Sequence, residues 1–119
     1  MRINESMKVI DMLWERREHL RNEGETGLQA AENWCAYAAN DSISADTIVL
    51  IADPLEVDEE NWEEILPQRA VEMGLSMAVS AETVDDVVIN AVHQDGTVSA
   101  GTLVDALNYY LENDDFMEL

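Results

Sequence analysis

The segment DPLEVDEENWEE, residues 53–64, holds seven carboxylates (Asp53, Glu56, Asp58, Glu59, Glu60, Glu63 and Glu64) and no Lys or Arg. Carboxylates so close together can bind a divalent cation, work as an acid–base pair, or present a field of negative charge. An EF-hand calcium loop wants acids at alternating positions, glycine at the sixth and glutamate at the twelfth. Counted from Asp53, the third position is Leu55 and the sixth is Asp58, so that pattern fails and no metal is expected. An acid–base pair cannot be singled out where acids are this dense.

Nucleophilic catalysis needs a Ser or Cys with a His base in reach. His19 lies amid RREHL and His93 in the turn-like HQDG, and both read as surface residues. Cys35, flanked by Trp34 and Ala36, reads as core packing. The five glycines are scattered, with no phosphate-cradling loop among them. No catalytic residue and no cofactor is expected, and the chain reads as a non-enzyme.

What remains is the charge. Twenty-six acids against six bases give −20, where a small soluble domain carries a magnitude of about 2–8. The five bases Arg2, Lys8, Arg16, Arg17 and Arg21 all fall in the first 21 residues, and Arg69 is the sole base after them. Such a field repels nucleic acid and anionic lipid, which rules out most direct DNA, RNA or membrane readers. It attracts cations and basic protein surfaces, at the cost of self-repulsion in the compact state.

The chain of 119 residues reads as one domain, residues 1–119. Its 47% hydrophobic content excludes global disorder. No leader-like or bilayer-spanning run is present, and Cys35 has no second cysteine to pair with, so a cytoplasmic, unanchored protein is expected.

Periodicity predicts helices. Met7, Val9, Ile10, Met12, Leu13, Trp14 and Leu20 suit an amphipathic helix over 5–21, with a turn at Gly24 and Gly27. The Ala-rich TGLQAAENWCAYAAN predicts a second helix, stopped by Asn40 to Ser42. ISADTIVLIADP fits a short helix capped by Ser44 or a buried strand. Asp58 is read as the cap of a short helix through Trp62 to Leu66, and Pro67 as the start of another closing near Gly74. Ser80 and Ser99 precede two further helices, with Val84, Val87, Val88, Ala91 and Val92 inward on one and Leu103, Leu107, Tyr110 and Leu111 on the other. The fold expected is an all-α single-domain bundle of five or six short helices. The alternative is α+β, with a small hairpin near residues 87–100 across HQDG.

On helices, residues three or four apart stand about 5–6 Å from one another. Glu56, Glu60 and Glu64 would then make one row and Glu59 and Glu63 a second. Glu82, Asp85 and Asp86 would form another patch, and Glu112, Asp115 and Glu118 one more near the C-terminus. Duplex DNA presents one negative charge per ~1.7 Å of axis, a density that rigid carboxylate rows can approximate.

In charge and length, though in no motif, the chain looks like the DNA-mimic inhibitors that phages and mobile elements use against restriction or CRISPR systems. That resemblance implies a basic nucleic-acid-binding protein as partner, met through Asp53, Glu56, Asp58, Glu59, Glu60, Glu63 and Glu64, with Glu82, Asp85 and Asp86 as a second patch. Three rivals share the composition. One is an antitoxin-like module that neutralises a basic partner without imitating nucleic acid, one a halophile's acidic surface, and one a plain acidic domain. Trp62 reads first as the inward stripe of its helix and second as an exposed anchor within an acidic interface. The comparatively neutral first helix is a candidate for self-association into a homodimer.

Overall fold

A computed structural model describes residues 3–39 and 43–119. The architecture is α+β, which overturns the all-helical bundle. In chain order the elements are β1 (Glu5–Lys8), α1 (Val9–Gln29), β2 (Cys35–Ala38), β3 (Ile48–Ala52), β4 (Glu56–Val57), β5 (Glu64–Ile65), α2 (Gln68–Met73), β6 (Ser76–Ser80), α3 (Ala81–Gln94) and α4 (Ala100–Asn113). Strands β1, β3, β2 and β6 form, in that order, an antiparallel sheet, and β4 and β5 pair as a separate two-stranded hairpin.

Three helices, α1, α3 and α4, pack on one face of the four-stranded sheet. They bury Met12, Leu13, Val84, Val88, Leu103 and Leu107 against Ala36, Ala38, Val49, Ile51 and Val79. On the other face Cys35, Tyr37, Leu50 and Ala52 pack with Ala70 of α2, and Leu66 and Leu75 lean on them. The central strands are therefore covered on both sides. That explains why CAYA and IVLIA are apolar at every position instead of alternating, as a sheet with one wet face would require. It also corrects the predicted second helix. Residues 26–29 are the last turn of α1, and 35–38 are strand despite their alanines, because pairing between β3 and β6 outweighs a helix propensity of tenths of a kcal/mol per residue. The stop predicted at Asn40 to Ser42 lies outside the described residues.

The first predicted helix begins later than its apolar pattern suggested, since 5–8 is an edge strand paired with β3. It also runs further, through Gly27 to Gln29, with one non-helical residue at Gly24 (φ 74°). That left-handed backbone, open to glycine without steric cost, turns the last segment so that Leu28 enters the core. Of the two readings left open for 43–54, the strand is the one formed; Ser44 closes a small turn with Thr47 instead of capping a helix.

Local signals in the second half place α2, α3 and α4. Pro67 precedes α2, and Gly74 ends it in the left-handed region (φ 68°). The Ser80 and Ser99 hydroxyls accept from the backbone N–H of Thr83 and Thr102 and cap α3 and α4. Residues 87–100 form no hairpin: α3 runs to Gln94, and a turn through Gly96 leads into α4. Leu111, expected inward, is exposed. After α4 the chain folds back, with Phe116 against Tyr110 and the Gln94 side chain bonded to the backbone of Met117 and Leu119.

Candidate functional site

All seven carboxylates of 53–64 lie on one segment, the β4–β5 arm and its root. No helix forms there, so the rows Glu56–Glu60–Glu64 and Glu59–Glu63 do not exist. An isolated helix of this length would leave its backbone groups unpaired at both ends and would need a face to bury; Trp62 and Ile65, assigned to that face, are exposed. The hairpin instead pairs Glu56 with Ile65 and Val57 with Glu64. Directly opposed residues share a face, so each face carries one acid beside one aliphatic side chain.

Asp58 organises the tip. Its N–H donates to the Glu63 carbonyl (2.9 Å), its carbonyl accepts from Trp62 N–H (2.8 Å), and its carboxylate accepts from Glu60 N–H (2.9 Å). Asn61 Oδ1 accepts from Glu63 N–H (3.0 Å). Asp58 is thus half-buried and occupied with the turn, while Glu59, Glu60, Glu63 and Glu64 are exposed. Asp53 is exposed at the root, and its carbonyl accepts from the Tyr37 hydroxyl (2.7 Å), which ties the arm to the sheet. Burial pushes that hydroxyl's pKa far up, followed by the effects of Cys35 and the Asp53 charge, so the phenol stays protonated and able to donate.

Trp62 corrects the inward assignment outright: it is 79% exposed and holds a left-handed backbone (φ 60°). That conformation costs a non-glycine residue about 1–2 kcal/mol. Val57 and Ile65 are about half exposed beside it. At the foot of the arm a cleft of about 300 Å³ is lined by Asn4, Pro54, Leu66 and Arg69 among others.

The second patch does not exist as a surface. Glu82 is exposed in the first turn of α3 and Asp86 is half-buried, but Asp85 is 0% exposed. Its carboxylate takes a two-pronged contact from the buried Arg16, Nε to Oδ1 at 2.8 Å and Nη2 to Oδ2 at 2.9 Å. Arg16 also donates to the Leu28 carbonyl (3.1 Å), and its guanidinium lies 5.4 Å from the Trp34 ring centre. A charge buried in this way must be paired, so Asp85 belongs to the core.

Sequence reasoning missed Arg16 and Glu32. The signal for Arg16 was its position on the stripe of Val9, Met12, Leu13 and Leu20, where a cation demands an inward counter-charge. Glu32, between α1 and β2, has its pKa raised to about 7 by burial, by its hydrogen bond to Asp85 and by the charges of Asp85, Asp86 and Glu82. Burial, then Glu82 and Asp85, also raises Asp86.

The remaining sequence candidates find ordinary places. Cys35 is a buried free thiol facing Tyr37 and Leu50, His19 is partly buried, and His93 is exposed 3.6 Å from Glu25. Among the described residues no three His, Cys, Asp or Glu side chains converge as a metal site, and no helix is long and apolar enough to cross a membrane. The bases that suggested self-association are largely engaged within the chain: Lys8 meets Asp46, Arg16 meets Asp85, and Arg17 bonds Glu18 and the Gly96 carbonyl.

Fold and site together describe a small α+β protein with an acidic, tryptophan-bearing hairpin set apart from its main sheet. The chain belongs to the family described as Domain of unknown function (DUF7716), whose model matches residues 19–119 and so spans the hairpin and all the helices except the first part of α1. No curated protein and no solved structure matches it.

Proposed function

We propose that this protein is an acidic inhibitor that occupies the nucleic-acid-binding groove of a basic protein, with the β4–β5 hairpin as its contact element. The carrying observation is the concentration of seven carboxylates on one arm, all but Asp58 exposed, with no ion pair among the described residues to Asp53, Glu56, Asp58, Glu59, Glu60, Glu63 or Glu64. A β-strand rises about 3.3 Å per residue, close to the ~3.4 Å per phosphate along one DNA strand. Each strand of the arm has two residues and one acid, so its carboxylates do not repeat at that interval, and the arm offers a phosphate-binding groove local charge density instead. A basic groove that holds phosphates would relieve the repulsion among these acids on contact. Counter-defence against restriction or CRISPR systems is the setting that the composition suggests.

The test is charge reversal. The triple variant Glu59→Lys, Glu60→Lys, Glu63→Lys should stay folded, because none of the three side chains bonds anything beyond the turn, and should lose capture of a basic partner from host lysate at low salt. Duplex DNA should elute that partner from the parent protein. A triple variant that captures and inhibits as well as the parent removes the hairpin from the interface.

One observation favours a second reading, the antitoxin-like module: Trp62 has no counterpart in a phosphate backbone, and exposed aromatics anchor protein interfaces. Under that reading Trp62→Ala lowers affinity by tenfold or more, about 1.4 kcal/mol, and duplex DNA fails to displace the partner.

A further inference from the structure

We propose that the cavity between α1 and the turn joining α3 to α4 binds a small organic anion, with its acid group held by Arg17 and Arg21 and its apolar body against Trp14, Leu20 and Val92. The cavity measures about 570 Å³, within the ~300–1,000 Å³ usual for ligand sites. It is lined by Trp14, Arg17, Leu20, Arg21, Val92 and the Gly96–Thr97 turn. Two guanidinium groups and three apolar walls thus meet in a chain that is otherwise overwhelmingly anionic.

Arg17 and Arg21, four apart on α1, set like charges on one face, which is unfavourable for the helix. Arg17 is fixed in place: its guanidinium lies 4.7 Å from the Trp14 ring centre, Nη2 donates to the Gly96 carbonyl (2.9 Å) and Nη1 to Glu18 (3.2 Å). Its Nε is enclosed and has no acceptor. Asp95, in the same turn, is drawn into bonds with the Thr97 hydroxyl (2.7 Å) and N–H (2.9 Å), which hold its pKa down and keep it charged near Arg17. Arg21 has no ion pair among the described residues, although acids outnumber bases 26 to 6. Among the described residues it is the arginine without an ion pair, and so is free to meet a ligand alongside Arg17. A guanidinium receives a carboxylate or a phosphoryl group in the same forked manner, so the head group is either of these.

The experiment follows the indole N–H signals of the isotope-labelled full chain during titration, with that of Trp14 assigned through Trp14→Phe. Phenyl phosphate and benzoate are the two ligand arms, inorganic phosphate tests the head group alone, and benzylamine reverses the charge. Either aromatic anion should shift the Trp14 signal saturably, and the arm that binds tighter identifies the head group. Inorganic phosphate should bind at least about tenfold more weakly, and Arg21→Gln, an exposed change, should weaken binding by about fivefold or more. The proposal is overturned if neither anion gives a saturable Trp14 shift by ~10 mM, if benzylamine binds as well, or if Arg21→Gln leaves affinity unchanged. The hairpin takes no part in this readout, so failure here leaves the proposed function standing and the reverse also holds.

Discussion

Glu32 occupies the short connection between α1 and β2, where its carboxyl bonds Asp85 and faces the charges of Asp86 and Glu82. Its pKa in the folded chain, about 7, lies above the ordinary 4.5, so the folded state holds this proton more tightly than the unfolded state. The stabilisation is complete below about pH 4.5, fades as pH rises towards 7 and is gone above it. Glu32→Gln keeps a hydrogen-bonding group beside Asp85 without the titration. It should therefore be more stable than the parent at pH 8, and the two should converge near pH 4.5; denaturant midpoints across that range check it. Asp85 and Arg16 show how far single residues could be read from sequence. Each breaks an apolar stripe in its own segment, Asp85 beside Val84, Val87 and Val88 and Arg16 beside Met12 and Leu13. Each anomaly was visible, but their pairing was not, since 69 positions separate them and only the docking of α1 on α3 unites them.

At the scale of elements, α1 and α3 are clasped by that ion pair. Arg16→Met leaves Asp85 buried without a counter-charge and should cost about 3–5 kcal/mol, a fall of roughly 10–20 °C in Tm for a domain this size. Arg16→Met combined with Asp85→Leu removes both charges and should recover most of the loss. Thermal unfolding of the two single variants and the double variant measures the coupling. Elements announced by local chemistry were legible: Pro67 and Gly74 bracket α2, and Ser80 and Ser99 cap α3 and α4. Strand β2 was not, because a strand buried on both faces loses the alternation that marks strands, and its alanines mimic a helix. The hairpin was misread for another reason. Asp58 satisfies nearby N–H groups in a turn as readily as at a helix start, so its type and spacing could not distinguish the two, and Trp62 went to the wrong side with it.

For the whole molecule the governing quantity is the charge of −20, spread over a body of about 44 × 28 × 24 Å. At a screening length of ~30 Å in 0.01 M salt its acids repel across the full width of the fold, and at ~3 Å in 1 M they act only on neighbours. Stability should therefore climb steeply with NaCl between those limits. The Glu59→Lys, Glu60→Lys, Glu63→Lys variant, being less negative, should climb less; denaturant midpoints at several salt concentrations test this. The net charge and the grouping of acids at 53–64 were plain in the residue list. Their arrangement on a separate hairpin was not, because it depends on which strands the main sheet takes in and which it leaves out.

The four-stranded sheet ends in β1 and β6, each hydrogen-bonded to a neighbour on one side. Met77 of β6 lies open to water and Ser76 beside it. An outer strand of this kind is a template on which another copy can add a strand, and mutual repulsion between such acidic molecules opposes that addition at neutral pH. Near the isoelectric point of about 4.1 that repulsion vanishes while the strand's free backbone groups are unaltered. Acidification that tightens Glu32 within each molecule thus removes the barrier between molecules, and fibrous assembly in mild acid would start from Ser76–Ser80.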